Sequence, residues 1–244
     1  VSIRKYSLLL AAFVFSLGLA TATEAQDMKT KPSLDARQQS IVTIAAFTAG
    51  GDIERLKPAL NEGLDAGLTI NEVKEVLVQM YAYAGFPRSL NGMAVFMGIV
   101  DERKAKGIHD EEGKEADPIP SDFNRDEYGA AVRARLAGLD KDISGTAWQL
   151  FSPVMDTFLK EHLFADIFVR DVISHEDREL ATIAALANMS GTAGQLKFHF
   201  GAAMNTGLTK AQMHDFIDVL ASRVGKAEAE SAQAVLSEVL AERK

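Results

Sequence analysis

The chain has 244 residues, of which 47% are hydrophobic and 25% charged, with a formal net charge of −8 and no cysteine. This balance supports a sizeable buried core and argues against intrinsic disorder. Acidity without a basic stripe argues against nucleic acid as a partner. The missing thiols exclude disulfides, thiol chemistry and thiolate metal sites.

Residues 1–25 read as a signal peptide. Arg4 and Lys5 make a short basic start, an apolar run follows from Leu8 to Ala20, and Thr23-Glu24-Ala25 places small residues at a cleavage site. The apolar run is shorter than the ~20 residues a span needs, although an uncleaved anchor is the alternative. The expected product begins near Gln26, is exported to the periplasm or secreted, and has no membrane association after cleavage.

Residues 34–106 form the first of two related units. Thr43-Ile44-Ala45-Ala46 recurs as Thr182-Ile183-Ala184-Ala185, and Ala66-Gly67-Leu68-Thr69 is echoed by Thr206-Gly207-Leu208-Thr209, at offsets of 139 and 140 residues. Two matches in one order at nearly one offset indicate a duplication. In the first unit Ile70, Val73, Val76, Leu77, Met80, Tyr81 and Ala84 make an apolar stripe at helical spacing. Thr69 with Glu72 predicts a capping box at its start, after a helix-ending Gly67.

Residues 107–125 read as a solvated linker, with a Glu111-Glu112-Gly113-Lys114-Glu115 run followed by Asp117-Pro118-Ile119-Pro120. The second unit, 126–243, opens with a helical preface that the first lacks: Tyr128–Leu139, then Thr146–Val172 with a kink or restart at Pro153. The phenylalanines Phe151, Phe158, Phe164 and Phe168 read as core, and packing is the favoured reading of Trp148. Ser174 with Asp177 marks the next helix start, and Thr209 with Gln212 repeats the earlier cap. No window alternates with a two-residue period, so the fold class is all-α.

Several segments resemble the carboxymuconolactone decarboxylase family. They are Phe164-Ala165-Asp166-Ile167-Phe168-Val169-Arg170, Asp177-Arg178-Glu179-Leu180-Ala181-Thr182, and Leu196-Lys197-Phe198-His199 in the second unit. Glu75-Val76-Leu77-Val78-Gln79 and Tyr83-Ala84-Gly85-Phe86-Pro87-Arg88 carry the likeness in the first. The resemblance implies an alkyl hydroperoxidase D-like helical fold with two repeated units in one chain. It also implies assembly into a homo-oligomer, expected here as a trimer of two-repeat chains. The family includes decarboxylases of a lactone acid and thiol hydroperoxidases. On the hydroperoxidase motif His199 stands at the histidine, while Thr192 and Gln195 stand where the cysteines would be. A hydroxyl and an amide cannot cycle between dithiol and disulfide, so that route is closed.

The units have diverged in complementary ways. The second keeps Arg178, Glu179 and His199 where the first has Gln39, Ser40 and Ala59, whereas the first keeps Tyr83 to Arg88. One composite site per chain is therefore expected, with a purely structural first unit as the alternative. The candidate catalytic residues are His199, as proton donor or acceptor, and Glu179, which would orient it. Arg170, Arg178, Arg88 and Tyr83 are the candidate substrate-binding residues, the arginines because guanidinium holds carboxylate bidentately. Against this stand a structural His–Glu pair in the core and ion pairs of Arg170 and Arg178 with Asp166, Asp171, Glu176 or Asp177, the favoured reading of those two. His162 and Asp166 share a helix face, but a surface pair is the simpler reading and no metal is expected.

The expected function is that of a cofactor-independent enzyme on a small-molecule carboxylate or lactone. A non-catalytic exported binding or oligomeric scaffold is the alternative. An antioxidant role through a partner's thiols is a weaker third.

Overall fold

The computed structural model describes residues 33–243. The segment read as a signal peptide lies outside the described residues. Among those residues the secondary structure is helical throughout, without strands.

Four helices make the first repeat: α1 (Ala36–Gly50), α2 (Ile53–Asp65), α3 (Ile70–Ala84) and α4 (Phe86–Ala105). A preface follows, with α5 (Arg125–Ala137), the short α6 (Ala147–Phe151) and α7 (Pro153–Thr157), and a π-helical segment (Phe158–Ile167). The second repeat is α8 (His175–Ala187), α9 (Ala193–Thr206), α10 (Lys210–Val219, continuing as a π-turn to Val224) and α11 (Lys226–Glu242). The four helices of each repeat follow one another in the same order, about 140 residues apart. Their ends are encoded locally. Thr69 and Glu72 form a reciprocal capping box at α3, and Thr209 and Gln212 form its copy at α10. Ser174 accepts from the Asp177 amide at the start of α8.

The core follows from two helices with no polar face. Ser40 to Ala49 of α1 and Asp177 to Leu186 of α8 are buried without interruption. These helices pack against each other at the centre of the fold. A helix apolar on all sides needs neighbours all round, and the remaining helices of both repeats provide them. Because α8 is enclosed, its polar residues Arg178, Glu179 and Thr182 are buried too.

The preface departs from the expected pair of helices. Pro153 opens a new helix, as expected, after a break at Ser152. The chain then widens into the π-segment and leaves helical form at Phe168. That segment and α5 enclose a second apolar cluster, Val132, Leu136, Leu163, Phe164, Ile167, Phe168 and Ala202, against α9. Their approach is close: a Cβ at Gly129 would lie 2.0 Å from the Lys160 carbonyl oxygen, so only glycine fits there. Phe164 and Phe168 are core, but Phe151 and Phe158 are 91% and 63% exposed, contrary to expectation. With Leu150, Val154 and Met155 they leave an apolar surface on this side.

The linker is bound to the body along part of its length. The Glu111 and Glu112 carbonyls accept from the Ile70 and Asn71 amides, which the start of α3 leaves free. Lys114 and the Asp117 amide are both held by Asp171. Gly113, at φ 77°, passes so close to Thr69 that a Cβ would meet its hydroxyl oxygen at 2.2 Å.

Candidate functional site

A cavity of about 600 Å³ opens beside α9. Residues one turn apart on α9 face it, namely Gln195 and His199, preceded by Thr192. The first repeat contributes Tyr83 from the end of α3. The preface supplies the opposite wall with Arg133, Trp148, Gln149, Leu159, Leu163 and Phe164. The site is thus composite, built from both repeats and from the segment that the first repeat lacks.

His199 and Glu179, from consecutive helices, meet as the sequence suggested. Nδ1 of His199 lies 2.8 Å from Oε2 of Glu179, and the carboxylate is fully buried behind the ring. A carboxylate accepts and does not donate, so Nδ1 carries the proton and Nε2 is left for a ligand. The ring is held edge-on between Tyr83 and Phe198, with centroids at 5.7 and 5.1 Å. The Tyr83 hydroxyl, the Glu179 Oε1 atom and the Arg178 Nε atom are buried without a hydrogen-bond partner. Burial, and then the Glu179 charge, push the Tyr83 hydroxyl well above its usual range, with Thr182 and Arg178 opposing more weakly. Tyr83 is therefore a neutral phenol here.

The predicted arginines go elsewhere. Arg178 is fully buried and donates to Glu75 Oε1 at 2.7 Å, Gln79 Oε1 at 2.9 Å and the Arg170 carbonyl at 2.5 Å. Burial pulls this guanidinium below its usual value, and the Glu75 carboxylate opposes that pull. Arg170 caps the same carboxylate with contacts of 3.0 Å to both oxygens from its Nε. The ion-pair reading of these two arginines was right in kind. The partner, however, is Glu75 on α3 of the other repeat, not Asp166, Asp171, Glu176 or Asp177. Arg88 is exposed and donates to the Ala49 carbonyl near the end of α1. None of the three lines the cavity.

The cation that does line it, Arg133, went unremarked in the sequence. Its Nε and Nη2 grip Asp142 at 2.6 Å each, Nη2 also reaches the Ile143 carbonyl at 3.1 Å, and Nη1 binds Asp156. Burial weakens the Asp156 acid, but Arg133 and Gln149 outweigh it and hold the carboxyl below the usual range. The Arg133 charge is thus fully countered. Regular spacing could not have revealed this, because Asp142 sits in a loop and Asp156 in a different helix.

The remaining candidates resolve simply. Trp148, expected to pack, lines the cavity and is 45% exposed. His162 and Asp166 pair at 2.9 Å on the surface, where Arg125 shares the carboxylate. Among the described residues no group of three or more His, Cys, Asp or Glu is placed to hold a metal. Thr192 uses its hydroxyl on the Leu186 and Met189 carbonyls at 2.6 and 2.9 Å. Among the lining side chains few polar groups are left without a protein partner: an imidazole nitrogen, the Gln195 amide, the Tyr83 hydroxyl and one N–H of Arg133.

The family model for the carboxymuconolactone decarboxylase family matches residues 17–97 and 153–238. No curated protein matches the chain.

Proposed function

The chain belongs to the carboxymuconolactone decarboxylase family, and from that premise we propose that it is a cofactor-independent enzyme of lyase or hydrolase type that moves a proton on a small organic acid or lactone held beside His199. One observation carries this reading: an imidazole on the wall of a cavity, with its far nitrogen bound at 2.8 Å to a fully buried carboxylate. Glu179 fixes the tautomer and ring plane, so Nε2 is the proton acceptor. When Nε2 takes a proton, the same carboxylate stabilises the imidazolium. The largely apolar wall keeps water scarce, which strengthens that stabilisation and any hydrogen bond to developing charge on the substrate.

His199→Gln, with unchanged circular dichroism and thermal stability, is expected to lower turnover on a panel of small lactones and their acids. The expected loss is about 10²-fold or more, the size typical of a positioned acid–base group. Glu179→Gln is expected to lower it less, by loosening the ring's orientation and removing the charge that stabilises the imidazolium. Wild-type-like turnover by His199→Gln would remove the role.

A binding role without turnover is the second reading, and one observation favours it: the cavity's arginine is already neutralised. Ligand binding to the wild type without any reaction across the panel would select it.

A further inference from the structure

We infer that the cavity beside His199 selects an uncharged, largely apolar ring compound with one or two polar atoms, of the lactone or cyclic ketone class, and rejects carboxylates. This rests on the reading of that cavity as the substrate site and narrows it to one substrate class.

Charge supports the inference first. An anion entering a low-dielectric cavity loses its hydration and needs a fixed cation in return. Arg133 is the cation on the wall, and four of its five N–H groups are accounted for by two carboxylates and a carbonyl. With Asp142 and Asp156 ionised, that cluster carries one net negative charge. The Glu179 carboxylate behind His199 adds another. Lys160, which also acts on Asp156, is offset by its own pair with Asp126, and beyond it Arg178 and Arg170 share Glu75, with Arg178 completely buried. Counting that cluster's single excess positive charge, the surroundings remain net negative, so a carboxylate meets repulsion and desolvation together.

Shape and polarity support it next. The volume of about 600 Å³ is that of a small-molecule site. Trp148, Leu159, Leu163, Phe164, Met189 and Phe198 supply apolar wall, suited to the faces and edges of a ring. The His199 Nε2 atom and the Gln195 amide can serve one or two polar atoms. The Thr192 hydroxyl and the Gln149 amide are spent on protein partners.

The protein carries its own reporter, because Trp148 is its single tryptophan and lines the cavity. The test titrates phthalide, a neutral lactone, and 2-(hydroxymethyl)benzoate, its ring-opened carboxylate, while following Trp148 emission. The two probes share one skeleton and differ by the elements of water and a charge. The titrations use wild type and His199→Gln, so that binding preference is read apart from turnover. The expected result is at least tenfold tighter binding of phthalide in both proteins, with the carboxylate gaining affinity in Asp156→Asn, where one negative charge is removed. Equal or tighter binding of the carboxylate by the wild type overturns the inference, as does failure of phthalide to perturb Trp148 at millimolar concentration. Absence of wild-type turnover across the panel, with the lactone preference intact, would fail the catalytic reading alone.

Discussion

Replacing Glu75 by Gln should cost far more stability than its distance from the cavity suggests. Glu75 is 2% exposed and sits between Arg178, which is completely buried, and Arg170, which is 39% exposed. Without the carboxylate charge Arg170 can turn to solvent, but Arg178 cannot. It keeps an acceptor at Gln79 and another at the Arg170 carbonyl, yet its charge is left uncompensated. Removing one partner of a buried pair costs roughly 3–5 kcal/mol, and the retained amide acceptor of glutamine places this case near 3 kcal/mol. For a chain of this size that corresponds to a fall in Tm of about 6–12 °C. Urea unfolding at neutral pH measures it, with Glu112→Gln as the control. Glu112 pairs with Lys74 in solvent, so its loss should cost under about 1 kcal/mol. The double variant Glu75→Gln/Arg178→Met should recover much of the loss, because it removes the buried charge that the single variant strands. A Glu75→Gln protein no less stable than the Glu112→Gln control would refute the reasoning.

Two further outcomes are expected. Burial, and then the neighbouring Arg135, push His175 down to about 4 from an ordinary 6.5. The folded protein resists a proton that the unfolded chain accepts, so stability falls as pH drops from about 6.5 to about 4 and this contribution is flat below that. Because the ring is partly exposed, the loss is on the order of 1 kcal/mol. Urea unfolding at pH 7 and pH 5 should show a shallower pH dependence for His175→Gln than for wild type, and identical slopes would contradict the assignment. The exposed apolar run Leu150, Phe151, Val154, Met155 and Phe158 supports the proposal that the chain self-associates. Light scattering should then give a multiple of the chain mass for wild type and a single-chain mass for Phe151→Glu/Phe158→Glu, whereas a monomeric wild type would contradict it.

What the sequence revealed and what it hid divide along physical lines. The capping boxes at Thr69 and Thr209 were legible because all their partners lie within four residues. The duplication was legible because α1 and α8 keep the same small apolar residues where they pack together. His199 and Glu179 could be paired because they sit on consecutive helices of one repeat. Arg178 could not be matched to Glu75, because their contact spans the two repeats and 103 residues. Four acidic residues near Arg178 in sequence drew attention instead, and Asp166 and Asp171 in fact serve Arg125 and Lys114. The preface misled for a different reason. Apolar spacing marks a face that avoids water, but it does not say whether that face meets this chain's own core, so Phe151 and Phe158 read like Phe164 and Phe168. Arg133 was invisible because both its carboxylates come from irregular or separate segments.

The central claim is that Nε2 of His199 is a proton-accepting nitrogen on the cavity wall, held in that role by Glu179. Nitrogen-15 NMR of the imidazole, at a pH where the ring is neutral, tests this directly. The account predicts a ring protonated at Nδ1, an Nε2 resonance that moves when phthalide is added, and a loss of the tautomer preference in Glu179→Gln. A ring protonated at Nε2, or an Nε2 resonance unmoved by a ligand that perturbs Trp148, would contradict it.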